Sequence, residues 1–143
     1  MRSLLLLLPL IILAGCARVE INQMASIDPQ NKSITLPPGG AGITGSLKKA
    51  LTKAGWKTYV YQGPSVIEGT TGRQTSLRNY DTFHSRYSLF IQEEFYDWAP
   101  NFDRMYHFDI SLVDNKNGQE VLTATGSHAG KVVVNRVMQA LQN

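Results

Sequence analysis

Apolar and polar residues repeat along this chain with two periods, and the period changes at recognisable breaks. Ile43, Leu47, Ala50, Leu51 and Ala54 recur at the spacing of one helical face, while Lys48, Lys49 and Lys53 lie off it. A helix is expected over 43–54. Pro37-Pro38-Gly39-Gly40 breaks the chain before it, with a short strand expected at 33–36. Gly55 stands where a left-handed residue would end the helix, and lysines near that end suit the helix dipole. Residues 56–61 alternate, are rich in β-formers, and predict a strand leaving the helix through a tight turn. Residues 62–72 contain Gly63-Pro64 and read as loop, with a short strand at Val66-Ile67.

The second half alternates more regularly. Over 85–96, Tyr87, Leu89, Ile91 and Phe95 share one face, with Ser88, Gln92 and Glu94 on the other. A connector around Pro100 (98–104) leads to 105–113, where Tyr106, Phe108, Ile110 and Leu112 face in and His107, Asp109 and Ser111 face out. Residues 114–118, ending in Asn117-Gly118, are a hairpin turn, and the return strand covers 119–127. A last helix over 130–141 buries Val133, Val134, Val137, Met138 and Leu141. β-Branched residues are poor helix formers, so this helix depends on docking. The sum is an α+β two-layer domain, an antiparallel meander sheet packed by two helices. A parallel doubly wound sheet would need a helix between the later strands, and there is no room for one.

The first sixteen residues follow a different logic. Arg2 leads into an apolar run over 4–13, then Leu13-Ala14-Gly15-Cys16. That is the order of a signal peptide. The run is half the roughly 20 residues a membrane-crossing helix requires. The tetrapeptide resembles the lipobox of bacterial lipoproteins. The resemblance implies cleavage before Cys16, a diacylglycerol on its sulfur and an N-acyl chain on its amine. Two or three chains anchor a protein effectively permanently, where one holds it marginally. Ala17, in place of the aspartate that favours inner-membrane retention in enteric-type bacteria, implies the outer membrane, with the domain facing the periplasm. The expected organisation is a signal peptide (1–15), a lipidated tether without sustained periodicity (16–32) and one globular domain (33–143).

Composition narrows the function classes. The net charge of +3 falls by one when Arg2 leaves, and no basic stripe remains for nucleic acid. Cys16 is the only cysteine, so no intramolecular disulfide can form. His84, His107 and His128 have no metal-ligand spacing, and no nucleophile elbow, zinc-protease motif or phosphate-binding loop occurs. Gly39-Gly40-Ala41-Gly42 lacks the lysine and preceding apolar strand of a phosphate cradle, and reads as a flexible lead into the helix. Glu93, Glu94, Asp97 and Asp103 could bind calcium or cleave a glycan only if they converged. Adjacent strand positions such as Glu93 and Glu94 point apart, so solvated charge is the simpler reading. No enzyme, cofactor, metal or small-molecule substrate is expected.

Aromatic residues crowd 80–108. About half would fill the core. Phe90, Tyr96, Trp98 and Phe102 fall on the other strand face or in the connector, where exposed aromatics beside polar groups serve as interface anchors. A separate cationic set, Lys48, Lys53, Arg78 and Arg86, could line a groove for lipopolysaccharide or peptidoglycan. The order of elements is similar to that of many small periplasm-facing lipoproteins that serve secretion, conjugation or envelope-biogenesis machines. That resemblance implies a non-catalytic accessory subunit that binds another envelope protein, with a glycan- or lipid-binding lipoprotein as the alternative and an envelope hydrolase third.

Overall fold

A computed structural model of the chain describes residues 17–61 and 85–142. Cys16 and the signal, Arg78, His84 and the expected strand at Val66-Ile67 lie outside the described residues. The elements run β1 (Arg18–Gln23), β2 (Ser33–Leu36), α1 (Gly42–Lys53), β3 (Lys57–Val60), β4 (Tyr87–Trp98), β5 (Arg104–Asp114), β6 (Gln119–Ala129) and α2 (Gly130–Ala140). The fold is α+β, a mixed six-stranded sheet in the order β1-β6-β5-β4-β2-β3, packed by the two helices.

The meander β4-β5-β6 is antiparallel, as the alternation predicts. Two features correct the simpler picture. First, β2 pairs in parallel with both β3 and β4. Helix α1 carries the chain from the end of β2 back to the start of β3, and a crossover of that kind makes its flanking strands parallel. Second, the stretch expected as tether contains β1, which pairs antiparallel with β6 from Arg18↔Ser127 to Gln23↔Leu122. Only Val19 and Ile21 turn inward, too few positions to register as a period. Backbone bonds to β6 hold this edge strand. Residues beyond it are tied down as well, by Met24 N–H on the Val121 carbonyl (2.9 Å) and Asp28 N–H on the Tyr87 hydroxyl (2.8 Å).

Both helices lie on one face of the sheet, α1 over β3 and β4 and α2 over β1, β5 and β6. Ile34, Leu36, Ile43, Leu47, Leu51, Leu112, Leu122, Val133 and Val137 are sealed between the layers. Burying each such side chain contributes about 1.5–3 kcal/mol. Helix α1 ends as its glycine forecasts: Gly55 N–H reaches the Thr52 carbonyl (3.1 Å) and Trp56 N–H the Leu51 carbonyl (3.0 Å), the paired bonds of a Schellman turn. Helix α2, with its run of valines, buries Val133, Val134, Val137 and Ala140 against the sheet and α1. At the end of the sheet where β5 turns into β6, Asp114 is buried under a two-pronged contact from Arg86, Nε to Oδ1 at 2.8 Å and Nη2 to Oδ2 at 2.6 Å. Lys116 N–H also donates to Asp114, closing the turn. The Arg86 guanidinium holds the Asp114 carboxyl below its ordinary value of 3.8.

Candidate functional site

The sheet face opposite the helices is uncovered among the described residues. It presents Arg18, Glu20 and Asn22 of β1, Thr123, Thr125 and Ser127 of β6, His107, Asp109 and Ser111 of β5, and Phe90, Gln92, Glu94 and Tyr96 of β4. The four aromatic candidates are all exposed, but the structure divides them. Phe90 stands on the open face and lines an apolar groove of about 380 Å³ with Thr35, Leu36, Pro37, Tyr61, Ser88 and Leu89. Tyr96, Trp98 and Phe102 gather at the other end of β4, roughly 20 Å away at 3.3 Å per residue.

There β4 runs past the helices into a hairpin with β5. A register shift between Phe95 and Asp97 inserts Tyr96 as an extra residue and re-aims its neighbours. Tyr96 turns to the open face, stacks on His107 (4.2 Å between rings, 19° between planes) and accepts a hydrogen bond at its hydroxyl from Ser127 Oγ at 2.8 Å. Trp98 turns to the helix side, edge-on to Phe95 at 5.5 Å, with the Arg104 guanidinium over its ring at 5.3 Å. Phe95 in turn meets the buried Tyr106 at 6.1 Å. The alternation places Phe95 inward; it is nonetheless exposed, because the strand has outrun its covering layer.

Phe102 sits at the hairpin tip with φ +62° and is 83% exposed. The loop is pinned on both sides of it. Ala99 N–H donates to the Asp103 carbonyl and Phe102 N–H to the Ala99 carbonyl, both at 2.8 Å. The Asn101 amide bonds Asp103, and Lys131 of α2 pairs with the Asp103 carboxylate at 2.6 Å. Those contacts, Lys131 foremost, hold the Asp103 carboxyl below its ordinary value.

The acidic residues do not converge. Asp97 accepts from Trp98 N–H, Asp103 serves the loop, and Glu94 faces out from the sheet. Glu93 lies on the helix side and does something the sequence reading missed. Its two carboxylate oxygens accept the N–H groups of Ile43 (2.6 Å) and Thr44 (3.0 Å), the first turn of α1. Ala41 supplies no side-chain cap, so an acid from across the fold takes that role, attracted by the positive end of the helix dipole. Gly42 makes the approach possible: its φ is +62°, and a Cβ there would overlap the Glu93 carboxylate. The glycine-rich lead therefore does receive an anion, and the anion belongs to the chain itself. Among the described residues no three His, Cys, Asp or Glu side chains gather as metal ligands.

The cationic set is not assembled either. Lys48 and Lys53 both lie on α1, about 140° apart around its axis at 100° per residue. The Lys48 ammonium donates to the Gly39 carbonyl. Arg86 is engaged by Asp114 and, at 3.6 Å, by Asp28.

A mixed sheet packed by two helices has a counterpart among solved structures. The fold resembles that of PelC. The chain matches the PelC dodecamer from Paraburkholderia phytofirmans with a TM-score of 0.55 at 14% identity, over 88% of this chain and 99% of that one. A leucine-to-methionine variant of the same dodecamer gives 0.52 at 14% identity, over 88% and 97%. At this identity the likeness to PelC is one of fold alone. No protein-family model and no curated protein sequence matches the chain.

Proposed function

We propose that this chain is a lipid-anchored, periplasm-facing outer-membrane lipoprotein that assembles with copies of itself and serves as a non-catalytic accessory subunit of an envelope secretion machine. The observation that carries the reading is a well-packed two-layer domain with one sheet face and an aromatic hairpin left uncovered among the described residues. Surface of that kind belongs to a protein that works by contact. Phe90, Tyr96, Trp98 and Phe102 are the proposed contact residues, and Cys16 the lipidated one. Two further observations support it. The tetrapeptide Leu13-Ala14-Gly15-Cys16 resembles a lipobox, which supports lipidation of Cys16. PelC, whose fold this chain resembles, is a dodecamer, which supports assembly of this chain with copies of itself.

A binder of anionic glycan or lipopolysaccharide comes second, because Lys48 and Arg86 already serve contacts within the domain. The test is crosslinking in intact cells followed by purification from detergent-solubilised membranes. The reading expects a ladder of self-linked species and a larger envelope protein carried with it. Recovery of monomer alone would count decisively against it.

A further inference from the structure

We infer that the open sheet face of one copy packs against the helix layer of the next, so that identical subunits join head to tail. The inference rests on the self-assembly proposed above and names the two surfaces that make the contact.

Charge divides the domain between those surfaces. The helix layer carries Lys48, Lys49 and Lys53 on α1 and Arg136 on α2, and neither helix contains an Asp or Glu. Of the acids that touch the layer, Glu93 is turned inward onto the start of α1 and Asp103 is neutralised by Lys131. Across β1, β6, β5 and β4 the open face carries the reverse. Glu20, Glu94, Asp109 and Glu120 are all exposed there, with Arg18 as the one Lys or Arg, itself 3.7 Å from Glu20. Among the described residues, Lys49, Lys53, Arg136, Glu94 and Asp109 take part in no ion pair within the domain, so their charges are available to a partner.

That division selects the mode of contact. Two sheet faces brought together would set these acids against the same acids, and two helix layers would set lysine against lysine; like charges across an interface suppress a pairing. Sheet against helix layer joins opposite charges. The spacing also suits. Asp109 stands opposite Gln92, two residues from Glu94, which puts the two acids about 8 Å apart across neighbouring strands. Lys49 and Lys53 are one helical turn, about 6 Å, apart, so both ammonium groups can meet both carboxylates at once. Packing agrees with charge: a sheet is stably covered by helices, and the next copy's α1 and α2 supply a layer over the half-exposed Phe90 and Tyr96. Because the two surfaces differ, each joined pair keeps one of each free, and the contact repeats into a ring or filament instead of stopping at two copies.

The test weighs the full-length, lipid-carrying protein in mild detergent by native mass spectrometry, beside two charge-reversed forms. Lys49→Glu with Lys53→Glu gives the helix layer the charge of the sheet face, and Glu94→Lys with Asp109→Lys gives the sheet face the charge of the helix layer. All four side chains are exposed, so the circular dichroism spectra should match the parent. Each form alone brings like charges together and should self-associate more than about tenfold more weakly than the parent. Mixed in equal amounts, the two forms match at both contacts and should recover multimers that hold equal numbers of each. Parent-like multimers from either form alone, or a mixture that stays monomeric, would overturn the inference and leave self-assembly standing. A parent protein that is itself monomeric would overturn both.

Discussion

Removing the Glu93 carboxylate tests whether the first turn of α1 is held from across the fold. Two backbone donors, Ile43 N–H and Thr44 N–H, lose their acceptors, and no side chain at Ala41 can replace them. Loss of a helix cap costs about 1 kcal/mol, and loss of a negative charge at a helix N-terminus adds about 0.3–1 kcal/mol. Glu93→Ala should therefore destabilise the domain by about 2 kcal/mol, lowering Tm by roughly 6–8 °C for a domain of this size. Glu93→Gln keeps one carbonyl acceptor and loses the charge, so about half that effect is expected. Urea unfolding followed by circular dichroism, with thermal melts alongside, measures both. A Glu93→Ala protein within about 0.5 kcal/mol of the parent, the range of an ordinary surface change, would refute the capping argument.

Other perturbations probe the rest of the architecture. Arg86→Ala leaves Asp114 buried without its partner and should cost about 3 kcal/mol at pH 7. Asp114 is held below 3.8 when folded, so the stability it contributes is present above that value and is lost as pH falls through its lower folded value. The gap between Arg86→Ala and the parent, measured by denaturant titration, should accordingly narrow towards pH 3. Gly126→Ala should cost more than about 1 kcal/mol, because its φ is +142° and a Cβ would run into the Arg18 carbonyl of β1. Amide exchange at Val19 and Ile21 should quicken in that variant; unchanged protection would mean that β1 does not depend on this close approach. Cys16→Ser should release the protein from the membrane fraction, and persistence there after an alkaline wash would remove the lipid anchor from the account.

The meander, both helices and the exposed aromatics were legible because each is written in a local period. Tyr106, Phe108, Ile110 and Leu112 announce β5 without reference to anything else in the chain. What escaped depends on partners distant in sequence. β1 shows only Val19 and Ile21 inward, and its stability lies in backbone bonds to β6. The parallel pairing of β2 with β3 joins two four-residue strands whose register no side-chain pattern specifies. Glu93 did leave a trace. It occupies an inward position between Ile91 and Phe95, and an acid on a buried face needs a donor; a helix start with no Ser, Thr, Asp or Asn needs an acceptor. Joining those two deficits would have found the cap. Arg86 misled for the same reason: a cation read as lining a groove for an anionic ligand is spent on Asp114, 28 residues away.

The central claim is that the chain acts as a lipid-anchored assembly of copies of itself. Native mass spectrometry of the full-length protein, extracted from membranes in mild detergent, weighs anchor and assembly together. The account predicts subunits that begin at Cys16, carry acyl chains, and travel as a multimer. An unacylated monomer would contradict it.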